Sequence, residues 1–146
     1  MNQHLSDEEY QAVYSKVPRL NVELVIMERG KVLLSKRVIE PWQGHWHLPG
    51  GRVLMNETLE EAVARIGRLE LGLEVKAVDV LGSITYPSIK GQPKDFEWPI
   101  GVVYSADVLK GEIKGWELAP RVEWFSELPR PIIEEQKTFL LDRALF

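Results

Sequence analysis

Between Thr58 and Leu71 apolar residues recur at alternating three- and four-residue steps: Leu59, Ala62, Ile66, Leu69 and, just beyond, Leu73. The stretch holds no Pro and a single internal Gly, Gly67, so it predicts an amphipathic helix ending near Gly72. On this pattern Glu57, Glu60, Glu61 and Glu70 lie off the apolar stripe, and Arg65 falls on roughly the same side as Glu57.

The rest of the chain alternates between the two periods. Ser6-Asp7-Glu8-Glu9 reads as a capping box opening a first helix, with Tyr10, Val13 and Tyr14 on its apolar face and Pro18 closing it. Asn21 to Met27 and Lys31 to Arg37 are strand-like runs joined by Glu28-Arg29-Gly30, which predicts a β-hairpin. Glu40 to Gly44 is a loop; in the short extended run from His45 to Leu48, His45 and His47 share one face, Trp46 and Leu48 the other. Leu73 to Tyr86 and Trp98 to Val108 read as strands, separated by a polar loop from Pro87 to Glu97 that is either a binding lid or a surface excursion. Lys110 to Gly115 is a turn region and Val122 to Phe125 a short strand. Pro129 to Pro131 starts a final helix whose buried set is Ile132, Ile133, Phe139, Leu140, Ala144 and Leu145. The order predicts an α/β domain with helices packed on a mixed sheet.

Composition narrows the picture. A chain of 146 residues is expected to form one domain, 1–146, with a single core. With 45% hydrophobic and 27% charged residues and no long apolar run, a soluble globular protein is expected rather than a membrane one. The N-terminal stretch from Met1 to Glu8 lacks the basic-then-apolar order of a secretory signal, and the absence of Cys removes disulfides and thiolate chemistry, so a cytoplasmic location is expected. A net charge of −4 argues against general nucleic-acid binding but leaves room for a small anionic ligand held by Lys36, Arg37, Arg52 and Arg65.

Pro49-Gly50-Gly51 can bring bare backbone close to a ligand, since Gly lacks the Cβ that would block that approach. A Gly-rich loop feeding an acidic helix can hold a hard cation and a phosphate chain together. Spacing alone leaves Arg37 as either a site residue at a strand end or a solvated edge. His45 and His47 resemble a metal pair, but no third ligand is near in sequence and a hydrogen-bonded structural role is favoured.

Gly51, Glu57, Arg65, Glu70, Gly72 and Leu73, preceded by Gly44-His-Trp-His-Leu-Pro-Gly-Gly51, resemble the signature of the Nudix hydrolases. Ile66 and Leu69 stand where that signature places carboxylates, so Glu70 is the one that remains of three. This reduced box, with Leu33 to Arg37 upstream, is similar to that of the GDP-mannose mannosyl hydrolase branch. The resemblance implies a Nudix-type α/β/α sandwich with a mixed sheet, a homodimer joined through the helix of Ser6 to Lys16, and Mg²⁺-dependent hydrolysis of a nucleoside diphosphate sugar. It implies that Arg37, Arg52 and Glu70 serve the reaction, that Glu70 and the Gly50 carbonyl hold one Mg²⁺, and that Arg65 pairs with Glu57 to hold the loop to the helix. Water would then attack the sugar carbon, and the nucleoside diphosphate would leave.

The branch's general-base His and metal-binding Gln have no counterpart between Gly115 and Glu123. Glu117 is the nearest replacement carboxylate, with Asp95 and Glu97 as alternates. Two further functions stay open on the sequence: a conventional Nudix pyrophosphohydrolase, and a nucleotide-sugar binding protein without the chemistry.

Overall fold

The computed structural model describes residues 4–145, so Met1 to Gln3 of the N-terminal stretch lie outside the described residues. Helix α1 (Asp7–Tyr14) starts at the expected capping box: the Ser6 hydroxyl accepts from Glu9 N–H, and Glu9 Oε1 accepts from Ser6 N–H, both at 3.1 Å. It buries none of its own residues. Strands β1 (Arg19–Val25), β2 (Met27–Glu28), β3 (Lys31–Lys36), β4 (Trp46–His47) and β5 (Gly50–Arg52) follow, then helix α2 (Leu59–Ile66). The long strands β6 (Leu73–Thr85) and β7 (Pro99–Gly111), the short β8 (Arg121–Phe125) and helix α3 (Glu134–Asp142) complete the order.

Strands β5, β1, β7 and β6 form one mixed sheet in that order; β1 runs parallel to β7 and antiparallel to β5, and β6 is antiparallel to β7. Alternation along β1 and β7 explains the layers. Val22, Leu24, Tyr104 and Ala106 pack with Ala62, Val63 and Ile66 of α2 on one face. Val25 and Val103 pack with Ile133, Phe139 and Leu140 at α3 on the other. The α/β/α sandwich implied by the resemblance is therefore the observed one. A second, antiparallel sheet is centred on β3, which pairs with β2, β4 and β8.

The predicted hairpin is only partly formed. Its turn closes as expected, with Arg29 and Gly30 at φ 52° and 75°, but only Met27 and Glu28 pair with β3. β1 belongs to the other sheet, because its alternate faces are both buried and need a central position between β5 and β7. The final helix begins at Glu134, three residues beyond Pro131, and Ala144 is exposed at φ 53° rather than buried.

The largest departure lies in the helix that the periodicity marked out. After Ile66 it continues as a π-helical turn over Gly67–Leu71, ended by Gly72 at φ 68°. An i→i+5 turn rotates the following residues relative to the α period. Leu69, expected in the buried stripe, is 51% exposed; Glu70, expected off it, is 4% exposed, and Leu71 is fully buried. Gly67 makes the turn possible, since a Cβ there would lie 2.5 Å from Val75 Cγ2 on β6.

Candidate active site

A cleft of about 420 Å³ is floored by Gly50 and Gly51 and lined by Arg19, Arg37, Arg52, Lys94, Glu97 and Tyr10 of α1. Pairing places the floor: Gly50 sits opposite Glu23 and Arg52 opposite Asn21 on β1. Only glycine fits at position 50, where a Cβ would lie 2.6 Å from the Val22 carbonyl oxygen and 3.1 Å from Glu23 Cγ.

Arg65 fixes the loop that leaves this floor. Its guanidinium donates to both carboxylate oxygens of Glu57, at 2.7 and 3.0 Å, and to the Arg52 carbonyl at 2.7 Å. Glu57 also accepts from Leu54 N–H at 3.0 Å, and the Arg65 bond holds its carboxyl below the usual range. Arg65 thus acts on the site through Arg52 and the loop rather than by lining the cleft.

Glu70 arrives beneath the floor by way of the π turn: its Oε2 lies 3.6 Å from where a Cβ on Gly51 would stand. Burial pushes its pKa up to about 8, opposed by a backbone hydrogen bond from Gly50 and by the charges of Arg37 and Arg65. Arg37 donates from Nε to the Pro41 carbonyl at 2.7 Å; burial, and then the charge of Arg19, lower its pKa. Arg19 is tied to the Glu97 carboxylate and the Tyr10 hydroxyl, and donates from Nε to Asn21 Oδ1 at 3.2 Å.

Arg37, Arg52 and Gly50 therefore come together at the cleft with Glu70 beneath them. Glu117 does not join them: it is exposed in the segment before β8 and does not line the cleft, so a base role for it loses its geometric footing. Asp95 is exposed as well, while Glu97 lines the cleft and is occupied by Arg19.

Behind the cleft lies a smaller cavity of about 80 Å³ that shares Arg19, Asn21, Arg37, Trp42 and Gly50 with it. Its inner wall is a polar network absent from the expectations above. The Tyr86 hydroxyl donates to Glu23 Oε1, Gln136 Nε2 donates to the Tyr86 oxygen at 3.0 Å, and Gln136 Oε1 accepts from Leu48 N–H at 2.6 Å. Burial raises the Glu23 pKa to about 7 against the bond from Tyr86. His47 faces the same cavity; burial holds its pKa down at about 4, so the ring is neutral. Nδ1 lies 2.8 Å from the Leu48 carbonyl, which can only accept, so Nδ1 carries the proton and Nε2 presents a lone pair. Among the described residues neither His47 Nε2 nor Glu23 Oε2 has a hydrogen-bond partner. A Glu inside the apolar run Val22 to Ile26 was the one sequence signal for this network.

Among the described residues no three His, Asp or Glu side chains converge as a metal cluster. Glu70 lies beside bare backbone as a hard-oxygen donor, while the other two buried carboxylates near the site, Glu97 and Glu23, are engaged by Arg19 and by Tyr86. This donor set fits a single Mg²⁺ completed by water and ligand phosphates, and no larger assembly.

A Gly-rich floor over a buried Glu, with an Arg-stapled loop between them, sits on an α/β/α sandwich. The NUDIX domain family matches residues 17–135, and the chain belongs to that family. It is 36% identical over 122 residues to an ADP-ribose pyrophosphatase of Methanocaldococcus jannaschii, covering 82% of this chain and 70% of the relative. It is 42% identical over 82 residues to a low-salt glycan biosynthesis protein of Haloferax volcanii; the match covers 56% of this chain, which spans about half of that relative's length, 53%. A MutT NUDIX hydrolase structure from Burkholderia pseudomallei superimposes with a TM-score of 0.73 at 30% identity, covering 86% of this chain and 97% of that one. No helix among the described residues is long and apolar enough to cross a membrane.

Proposed function

We propose that the chain is a Mg²⁺-dependent hydrolase of a nucleoside diphosphate sugar of the GDP-mannose kind. The observation that carries this reading is the pairing of two cleft arginines, Arg37 and Arg52, with the buried Glu70 carboxylate beside the glycine floor, the cleft's other buried carboxylate, Glu97, being held by Arg19. Glu70 and the Gly50 carbonyl would hold the ion, which neutralises diphosphate charge when bound. The guanidinium forks of Arg37 and Arg52 engage the diphosphate oxygens and stabilise the negative charge that grows as the bond to the sugar breaks. Gly50 and Gly51 let the phosphate chain lie against backbone, and Arg65 keeps Arg52 in place.

With Glu97 taken up by Arg19 and Glu23 by Tyr86, Glu70 is the carboxylate left for an ion in a strongly cationic cleft, and the arrangement favours stabilising a leaving group over activating water at phosphorus. Water would attack the sugar carbon, the carbon–oxygen bond would break, and the nucleoside diphosphate would leave with the electron pair. The relative named for glycan biosynthesis supports the sugar-nucleotide reading. The relative named an ADP-ribose pyrophosphatase favours a second one, attack at phosphorus by the same cleft. A homodimer through α1 goes with the first reading, supported by the exposure of Val13 and Val17 on and just beyond a helix that buries nothing in one chain.

Hydrolysis of GDP-mannose in ¹⁸O-water tests the choice. Label on the free sugar is expected; label on phosphate would establish the second reading. No turnover across a panel of sugar nucleotides, with Mg²⁺-dependent binding retained, would leave a binding protein instead.

A further inference from the structure

Trp42 has a backbone that a bulky residue rarely adopts, φ 59°, a conformation that costs on the order of 1–3 kcal/mol and persists only where its surroundings enforce it. Its N–H lies 3.5 Å from Gln92 Oε1, and its carbonyl accepts from His45 N–H at 3.0 Å. The half-buried indole leans on Tyr86 at 5.6 Å between centroids and lines both the phosphate cleft and the inner cavity. His47 and Glu23 line the same cavity, and their Nε2 and Oε2 are buried with no hydrogen-bond partner among the described residues. Leaving such atoms unpaired costs free energy, so their arrangement calls for a polar occupant.

The cavity's size and chemistry limit what that occupant can be. About 80 Å³ admits a few water-sized groups and is well short of the room a bicyclic base requires. His47 Nε2 is locked as an acceptor by the Leu48 carbonyl, so the occupant must bring a donor. A hydroxyl donates and accepts through one atom and can meet both His47 and Glu23. A ring bearing adjacent hydroxyls has an apolar C–H face for an indole and a polar edge for the cavity.

We propose that Trp42 and His47 form the specificity subsite for the sugar: the ring packs on the Trp42 indole, and its hydroxyls enter the inner cavity to bond His47 Nε2. This rests on the sugar-nucleotide reading above for the choice of ligand, but not on which bond breaks. A diphosphate on Gly50 and Arg37 would set the adjoining sugar near Trp42, which like them lines both cavities.

The test is displacement of a fluorescent GDP analogue by GDP and by GDP-mannose in Mg²⁺, read within seconds of mixing, before turnover. Wild type should bind GDP-mannose about tenfold more tightly than GDP, a margin that one hydrogen bond plus ring packing supplies. His47→Phe should erase most of that margin and leave GDP affinity within about twofold, which also certifies its folding; Trp42→Ala, read as the ratio of the two affinities, should erase most of the margin as well. His47→Asn, which restores an acceptor, should recover part of it. A wild type that binds the two ligands equally, or variants that keep the margin, would overturn the subsite. Equal weakening of GDP itself would place the base there and overturn it too. Label on phosphate in the ¹⁸O experiment would defeat only the earlier reading, whereas failure of both nucleotides to bind would defeat both.

Discussion

Replacing Arg65 by Met should destabilise the protein by about 2 kcal/mol and lower turnover without removing any group from the cleft. The guanidinium makes two bonds to Glu57 and one to the Arg52 carbonyl, with the two side chains 28% and 12% exposed. An exposed ion pair contributes about 0–1 kcal/mol, and a hydrogen bond to a charged group about 1.5–3 kcal/mol. This partly solvated fork lies between those limits, and its loss leaves Glu57 with Leu54 N–H as its remaining bonded partner on the loop. For a chain of 146 residues the melting midpoint should fall by about 4–8 °C. A double-mutant cycle with Glu57→Gln, followed by urea unfolding, should return a coupling of about 1–2 kcal/mol. Arg65→Lys should recover less than half, because an ammonium cannot reproduce the planar fork. A coupling below about 0.5 kcal/mol would refute the claim that this pair holds the loop.

Arg52→Ala and Glu70→Gln should each fold normally and slow turnover by about 10²-fold or more; unchanged rates in both would remove them from the site. Without divalent metal, Glu70 titrates at about 8 in the native state against 4.5 unfolded, so the native chain keeps a proton that the unfolded chain releases. Wild type should accordingly lose stability relative to Glu70→Gln as pH rises from about 5 to 8, and a difference that grows in wild type's favour would contradict the burial argument. His47 gives the opposite limb: native at about 4 against 6.5 unfolded, it should cost stability as pH falls through that window, and His47→Phe should remove the loss in denaturation midpoints. Gly101→Ala would put a Cβ 2.5 Å from Glu23 Cδ, whose Oε1 is pinned by Tyr86; a cost of about 1–3 kcal/mol is expected, and an unchanged melt would mean Glu23 is free to move. Light scattering should find a homodimer that Val13→Asp dissociates, and a monomer at high concentration would exclude it.

Local rules carried much of the fold. Capping chemistry placed α1, the Gly punctuation placed the turn at Arg29-Gly30 and the stop at Gly72, and β-rich runs placed β6, β7 and β8 within a few residues. Where two solutions share one local pattern, sequence could not choose between them. An apolar run followed by a turn reads as a hairpin, yet β1 joins a different sheet because partners far along the chain bury both its faces. The site divides the same way. Arg37, Arg52, Gly50 and Glu70 sit in one spaced motif and its lead-in, so they were legible together. Glu23, Tyr86 and Gln136 are separated by 63 and 50 positions, and only tertiary packing shows that they share one network. Glu117 is singled out in the sequence only by its nearness to the position of the absent His, and nearness along the chain does not fix which way a loop faces.

The π turn also makes the path toward a richer acidic site unequal at the two positions where the family signature has carboxylates and this chain does not. Ile66 is fully buried, with its Cδ1 3.5 Å from a Cβ position on Gly51. A carboxylate introduced there would stand beside Glu70 beneath the same glycine, and being buried it would cost several kcal/mol unless an ion held it. Leu69 is half in solvent, so the same replacement there is nearly free and also nearly useless. On this backbone a second carboxylate for an ion would come from position 66, beside Glu70, and not from position 69, which the π turn faces to solvent.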